Sequence, residues 1–210
     1  MNQPPPQYNA DSIDEQTVDR DPLTLFQRWL HEAKAVGIHL AEAMTLATAT
    51  PEGKPSARLV LLKGADERGF VFYTNYLSIK ARELDSNPQA AMVFYWPQLE
   101  RQVRVEGKVE RTSAEESDAY FKTRPRDSQI GALASPQSDV IASREALQEK
   151  ADQIEKLYKG RDVERPEHWG GYRLHAERIE FWKGRPGRLH DRILYERQAD
   201  GSWSIKRLAP

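Results

Sequence analysis

The sequence predicts a mainly β, α+β domain: an antiparallel barrel or sandwich of about seven strands with a few peripheral helices. Two observations carry this reading. Short apolar runs with a period of two follow one another from residue 43 onward, each closed by turn residues. Segments with helical spacing are few. No internal repeat or linker interrupts the pattern, so 21–210 is read as one domain, and 210 residues suffice to bury roughly two-thirds to three-quarters of the unfolded chain's surface.

Residues 1–20, Pro-rich at the start and mildly acidic, are expected to stay mobile unless a ligand or partner orders them. DPLTLFQRWLHEAKAVG then offers Asp21 as N-cap, Pro22 at the first helical position, Phe26, Trp29, Leu30 and Ala33 at helical spacing, and Gly37 as terminator. AMTLATAT, SARLVLLK and FVFYTN read as strands of a meander, with PEGK and GADERG as turns. Ser78 caps a short helix through Leu84 that Asn87-Pro88 ends. AAMVFYW and RQVRVEGKVER are further strands, Gly107 marking a bulge or bend. Ser113 and Glu116 form a capping box ahead of DAYFK. A longer helix from Ser143 to Gly160 puts Leu147, Ala151, Ile154 and Leu157 on one side. GYRLHAERIEFW, RLHDRILYER and SWSIKRL return to strands, the last two joined at Asp200-Gly201.

Composition narrows the function. With 31 Lys+Arg against 32 Asp+Glu and no basic block, nothing draws the chain to nucleic acid or an anionic membrane, so any anion is held locally. The hydrophobic fraction of 39% is lean for a self-sufficient monomer and hints that a partner subunit or cofactor completes the burial. The absence of cysteine removes disulfides and thiolate chemistry and suits a reducing compartment, the cytoplasm by default. No signal-like start and no apolar stretch of about 20 residues is present. Phosphate-loop, dinucleotide, nucleophile-elbow and zinc-helix motifs are missing, and the histidines at 31, 39, 168, 175 and 190 lack ligand spacing.

What remains is a scatter of cations in apolar strands and at helix starts. Arg58 and Lys63 bracket RLVLLK, either as ligands to an anion or as snorkelling ends of a core strand. Lys80 falls in the first turn of a helix, where free N–H groups and the helix dipole favour an anion over a cation; a bound phosphate would resolve that misfit. Tyr120, Arg124, Arg126 and Ser128 form a donor-rich group suited to phosphate oxygens, though Arg and Ser beside Pro are also ordinary loop residues. Gln137 and Ser138 could read a polar heterocycle, and Trp182 is a core residue or a stacking platform. Taken as a strand, GRPGRLHDRILYER sets Arg188, His190 and Arg192 on one face and Leu189, Asp191 and Ile193 on the other. Three like-signed groups so placed repel unless something negative faces them or water screens them.

Taken together, RLVLLK, FYTN, LERQVRVEG, YFKTRPRDSQIGALAS, PQSD, WGGYR, EFWKG, RLHDR and the ending RLAP resemble the pyridoxine/pyridoxamine 5′-phosphate oxidase family, in order from Asp21 to Pro210. RPRDSQIGA and RLHDR are the specific elements. The resemblance implies a homodimeric split β-barrel with flavin mononucleotide (FMN) at the subunit interface. It further implies oxidation of the phosphorylated alcohol or amine to pyridoxal 5′-phosphate, the last step of that cofactor's biosynthesis and salvage, with dioxygen as acceptor. By resemblance, FMN contacts Arg58, Leu59, Val60, Leu61, Leu62, Lys63, Tyr73, Thr74, Lys80, Gln102, Gln137, Ser138, Trp182 and Arg192. Lys63, Tyr120, Arg124 and Ser128 hold the substrate phosphate, Arg188, Leu189 and His190 face the pyridine ring, with Arg188 and His190 as catalytic groups, and Tyr8 comes over the site from the N-terminal segment. This chain departs from the family pattern in carrying Ile79 where the family usually has an arginine before Lys80, and Pro5 where an N-terminal arginine would fall. A flavin reductase of the same barrel class would lack RPRDSQIG and RLHDR, and a non-catalytic carrier would have less need of Arg188 and His190.

Overall fold

The computed structural model describes residues 11–210; Tyr8 therefore lies outside the described residues. Asp21 caps the first helix, α1 (Pro22–Ala35), its carboxylate accepting from the Leu23 and Thr24 amides at 3.1 Å each. The buried face of α1 is Leu25, Phe26, Trp29 and Ala33. Phe26 meets Phe70 and Phe94 at 5.0 Å between ring centroids, and Trp29 meets Phe181 edge-on at 5.2 Å. Removing a ring so enclosed costs about 3–5 kcal/mol.

These rings belong to a curled antiparallel sheet of nine strands. In chain order they are β1 (Ala43–Ala49), β2 (Pro55–Leu61), β3 (Gly64–Asp66), β4 (Gly69–Asn75), β5 (Gln89–Trp96), β6 (Arg101–Arg111), β7 (Trp169–Lys183), β8 (Asp191–Arg197) and β9 (Trp203–Arg207). The order is β2-β1-β5-β6-β7-β4-β3, with β8 on β7 and β9 on β8. β7 organises the whole: Trp169–Leu174 pairs with β4, Arg178–Lys183 pairs with β8, and β6 runs along its other edge from Tyr172 to Lys183. Residues from the two halves of β7 therefore reach different surroundings on one continuous strand.

The remaining helices are α2 (Ile79–Ser86), α3 (Ala114–Thr123), α4 (Arg126–Ala134) and α5 (Arg144–Leu157). Phe121, Ile130, Val163 and Trp169 form a second, smaller core outside the barrel, with Ala151, Ile154 and Tyr158 packed on it. Tyr158, the C-cap residue of α5, packs on this core, whereas Leu157, expected on the packed side of the helix, is exposed.

The structure departs from the sequence-based expectation in three places and agrees with it at Gly107. GADERG, read as a turn, contains the three-residue strand β3. RPRDSQIGALA, which the sequence reading gives no element of its own, supplies α4, whose amphipathicity is weak because only Gln129, Ile130 and Ala134 are buried. The bulge or bend expected at Gly107 is present: the register shifts between Glu106 and Gly107, Glu106 pairing with Arg178 and Gly107 with Ala176, so that Glu177 on β7 is the extra residue. Gly107 is required there because a Cβ would run into the His175 carbonyl. Finally, residues 188–190 are not strand. Pro186–Arg188 forms a 3-10 turn with Gly187 and Arg188 at φ of 66° and 63°, and β8 begins only at Asp191. The uniform face of Arg188, His190 and Arg192 does not exist, because the proline and glycine reverse the chain before pairing starts.

Upstream of α1, the segment expected to be mobile touches the barrel from residue 13: Arg207 donates to the Ile13 carbonyl at 3.1 Å, and Tyr195 Oη to the Asp19 carbonyl at 2.7 Å. No helix among the described residues is long and apolar enough to cross a membrane.

Candidate active site

β4 ends at Asn75 and the chain turns almost directly into α2, which brings Thr74, Ser78 and Lys80 together. Lys80 Nζ donates to Thr74 Oγ1 at 3.0 Å, Ser78 Oγ at 3.3 Å and Gln137 Oε1 at 2.8 Å. Lys80 is buried, and these direct partners are all neutral. Burial, reinforced by the nearby charge of Arg58 and opposed by Glu83, lowers the amine to a pKa of about 8. Ser78 occupies the N-cap position without its hydroxyl bonding the helix amides, and the Ile79 amide donates to Ser138 Oγ at 3.3 Å. A buried cation among neutral dipoles, at a helix N-terminus, suits a phosphate.

Arg58 reaches the same neighbourhood from β2 but is bound on several sides. It donates to the Leu46 carbonyl at 3.3 Å, to Thr48 Oγ1 at 2.5 Å and to Ser56 Oγ, and it pairs with Glu83 at 3.3 Å. Glu83 is buried, which opposes its ionisation; hydrogen bonds from Ser56 and Thr48 and the charge of Arg58 outweigh this and lower its pKa. The rest of RLVLLK is not the buried strand that its composition suggests. Leu59 is 73% exposed on the edge strand, Val60 and Leu61 are half-buried, and only Leu62 enters the core. Lys63 is exposed, its backbone amide held by the Val71 carbonyl, and no hydrogen bond or ion pair of its side chain joins it to the groups below.

Next to the Lys80 group, Tyr73 stacks on Tyr120 at 4.0 Å and on Trp169 at 5.4 Å. Gly171, paired with Tyr73, is needed for this approach: a Cβ there would lie 2.8 Å from Tyr73 Cε1 and 2.5 Å from Thr112 Oγ1. Burial pushes the Tyr73 hydroxyl up to about 12. Arg124 lays its guanidinium 4.5 Å from the Trp169 ring centre, and its Nη1 is buried with no hydrogen-bond partner. Arg124, Ser128, Gln137 and Trp169 share a cleft of about 250 Å³, which thus touches the Lys80 group through Gln137. Arg126 points elsewhere, to Glu155 and the carbonyls of Tyr158 and Arg161.

The other expected residues gather at the far end of β7. Tyr95 pairs with Gln102, Gln102 with Trp182 and Trp182 with Arg192, so the four form a row across β5, β6, β7 and β8. The His190 ring lies 4.6 Å from that of Trp182, and His190 Nδ1 accepts from the Arg185 amide at 3.0 Å. Arg192 is fully engaged: Glu180 accepts from its Nε at 2.8 Å and from Nη2 at 3.1 Å, and the Ala209 carbonyl accepts from Nη1 at 2.8 Å. Arg188 and Leu189 are exposed at the 3-10 turn. From Gly170, beside Thr74, to Trp182 is about 40 Å of strand at ~3.3 Å per residue. The structure therefore assembles two groups of residues, not one.

Family comparison accounts for both. A model described as pyridoxamine 5′-phosphate oxidase matches residues 30–158, and one described as the pyridoxine 5′-phosphate oxidase C-terminal dimerisation region matches residues 169–210. The chain is 57% identical to the pyridoxine/pyridoxamine 5′-phosphate oxidase of Rubrobacter xylanophilus, covering 97% of this chain and 94% of that one. This chain belongs to the pyridoxine/pyridoxamine 5′-phosphate oxidase family. The oxidase of Microcystis aeruginosa is 54% identical over 97% of this chain and 95% of its own. Among solved structures, PhzG from Burkholderia lata, in complex with tetrahydrophenazine-1-carboxylic acid, superposes with a TM-score of 0.88 at 33% identity, covering 93% of this chain and 96% of that one. An FMN-binding protein from Nostoc punctiforme shares the fold alone, with a TM-score of 0.72 at 20% identity over 89% and 96% of the two chains. The split barrel expected from the resemblance is the fold observed.

For an oxidase of this family, sequence reading overlooked Ser78, Glu83, Trp169 and Glu180, all buried and all touching expected site residues. Only Trp169 carried a visible signal, the two glycines that follow it.

Proposed function

We propose that this protein oxidises pyridoxamine or pyridoxine 5′-phosphate to pyridoxal 5′-phosphate with bound FMN, working as a homodimer whose sites each combine the two groups of residues. With the amine, substrate, dioxygen and water yield the aldehyde, ammonia and hydrogen peroxide; with the alcohol, substrate and dioxygen yield the aldehyde and hydrogen peroxide. FMN supplies the electron-accepting ring, which no side chain here can replace.

The observation that carries this reading is the pair of cations with no carboxylate partner among the described residues, the buried Lys80 and the half-buried Arg124 with its buried Nη1, linked through Gln137 and one cleft. Two such cations suit two phosphates, one from the flavin and one from the substrate. Lys80, with Thr74, Gln137, Ser138 and the first turn of α2, holds the flavin phosphate, and Arg58 adds positive potential. Arg124, Ser128 and the Tyr120 hydroxyl hold the substrate phosphate, with Lys63 closing the outer side. With the two groups at opposite ends of β7, Gln102, Trp182 and Arg192 serve a flavin held mainly by a second copy. Arg188 and His190 then reach the pyridine ring of that copy's substrate, where Arg188 orients the ring and balances charge shifting on it. Anchoring at both phosphates holds the reacting carbon against the flavin ring and turns an encounter into a positioned reaction. The exposed apolar groups Tyr95, the β5 member of this row, and Leu59, on the edge strand β2, supply surface for the contact between copies.

The test is the visible spectrum of the purified protein before and after anaerobic addition of pyridoxamine 5′-phosphate. Bleaching of a bound yellow chromophore, then recovery with peroxide release on admitting air, is expected. A coloured protein whose spectrum does not respond overturns the proposed reaction.

A further inference from the structure

Neither sequence nor resemblance gives Trp169 a role, yet its ring lies against the Arg124 guanidinium, nearer than that of Phe121. Other half-buried or buried arginines meet carboxylates: Arg173 pairs with Asp66 and Glu116, and Arg165 with Asp118; the exposed Arg161 and Arg197 also lie over rings without an ion pair, but in the solvent. Arg124 has no ion pair among the described residues. Its guanidinium lies 4.5 Å from the centre of Trp169 and 5.5 Å from that of Phe121, and Nη1 is buried and unbonded. Burial without a counter-charge lowers its pKa.

The indole is itself firmly placed. Trp169 is 6% exposed, its backbone carbonyl accepts from Arg165 Nη1 at 2.7 Å, and its ring lies nearly parallel to Tyr73 and Tyr120, at 10° and 8°. Phe121 closes its edge at 5.1 Å. An aromatic face attracts a guanidinium through its quadrupole while leaving the net charge and the N–H donors available. A carboxylate in the same place would hold the arginine equally well, but would cancel its charge and repel a phosphate dianion.

We propose that Trp169 is a positioning residue for substrate binding: it holds the Arg124 guanidinium aimed into the cleft, un-neutralised, so that the site selects a phosphorylated ligand. This rests on the reading of Arg124 as the substrate-phosphate ligand. The experiment measures Kd for pyridoxal 5′-phosphate by calorimetry on FMN-loaded protein, with steady-state KM and kcat for pyridoxamine 5′-phosphate alongside. Trp169→Leu removes the face, Trp169→Phe keeps a smaller one, and Arg124→Ala removes the cation. Expected are a rise in Kd and KM of about tenfold in Trp169→Leu, a smaller rise in Trp169→Phe, and kcat changed less than KM. In the Arg124→Ala background, Trp169→Phe should have no further effect, since both changes act through one guanidinium. Equal effects of Trp169→Phe with and without Arg124, or a Kd unchanged in Trp169→Leu, overturn the assignment. Wild-type protein that binds the phosphorylated ligand in this Trp169-dependent way without turning over would refute the proposed reaction and leave the assignment standing.

Discussion

At the β4–α2 end of the molecule, Lys80 sits among neutral oxygens and Arg124 against an indole. At the β6–β8 end, Arg192 faces Glu180, Lys183 faces Glu100 at 3.3 Å, and Arg185 faces Asp191 at 3.5 Å. Both ends are rich in cations, yet among the described residues only the first leaves buried charge without a carboxylate. The second end is close to neutral and offers flat surface instead: the Trp182 and His190 rings, with Gln102 beside them. Phosphates require the first kind of environment and aromatic rings the second. Arg58 at the first end is the informative exception, since its pairing with Glu83 makes it part of the frame around Lys80 as much as a ligand. Counting cations along the sequence cannot separate these cases; counting their carboxylate neighbours does.

The sharpest way to break this division is to damage the two ends in different chains. Arg124→Ala and Arg188→Leu, each nearly inactive alone, should regain activity when mixed under conditions of subunit exchange. Random pairing makes half the dimers mixed, each with one intact site, so recovery of about a quarter of wild-type sites is expected. Zero recovery after complete exchange, verified by tagged chains, would mean that both groups serve one site within one chain.

A second prediction concerns the exposed turn at the neutral end. Arg188 holds φ of 63°, a left-handed conformation that disfavours side chains by about 1 kcal/mol. Arg188→Gly should therefore keep or raise thermal stability by up to that amount, while lowering kcat roughly 100-fold through loss of orientation over the ring. Flavin content should be unchanged. A variant that is stabler and fully active would remove Arg188 from catalysis and leave its backbone strain without a function.

Much of this was legible in the sequence, for identifiable reasons. α1 was plain because Asp21, Pro22 and Gly37 are punctuation with local physical causes and its apolar residues keep one period. The Lys80 site was legible as a misfit, a cation at the wrong end of a helix. The region from Arg188 to His190 was misread because alternation of charged and apolar residues imitates a strand, whereas Pro186-Gly187 decides the backbone. Glu180 and Glu83 were hidden because neutralisation of an arginine is a tertiary fact: Glu180 is 12 residues from Arg192 in the chain, and Glu83 is 25 from Arg58. The exposed Leu59 was concealed for the opposite reason, since apolar composition does not say whether a strand is covered by its own chain or by another.

The smallest expected effect is also the most specific to the first end. Lys80 titrates near pH 8 in the folded protein, below its ordinary value of 10.5, because burial disfavours the charged amine. Between those two values the unfolded chain binds more protons at this position than the folded one, so this group makes the flavin-free protein more stable as pH rises from 8 towards 10.5. Phosphate binding requires the protonated amine, so flavin affinity should fall over the same range, and binding near pH 8 should take up protons. The two slopes have opposite signs, which no general loss of structure can imitate. Lys80→Met should abolish both and weaken flavin binding at neutral pH by roughly 10- to 150-fold, the loss of a charge-assisted hydrogen bond of about 1.5–3 kcal/mol. The decisive measurements are thermal melts of flavin-free protein and fluorescence titrations with FMN at matched pH. If both slopes persist in Lys80→Met, the un-neutralised charge lies elsewhere, and the contrast between the two ends of β7 loses its first member.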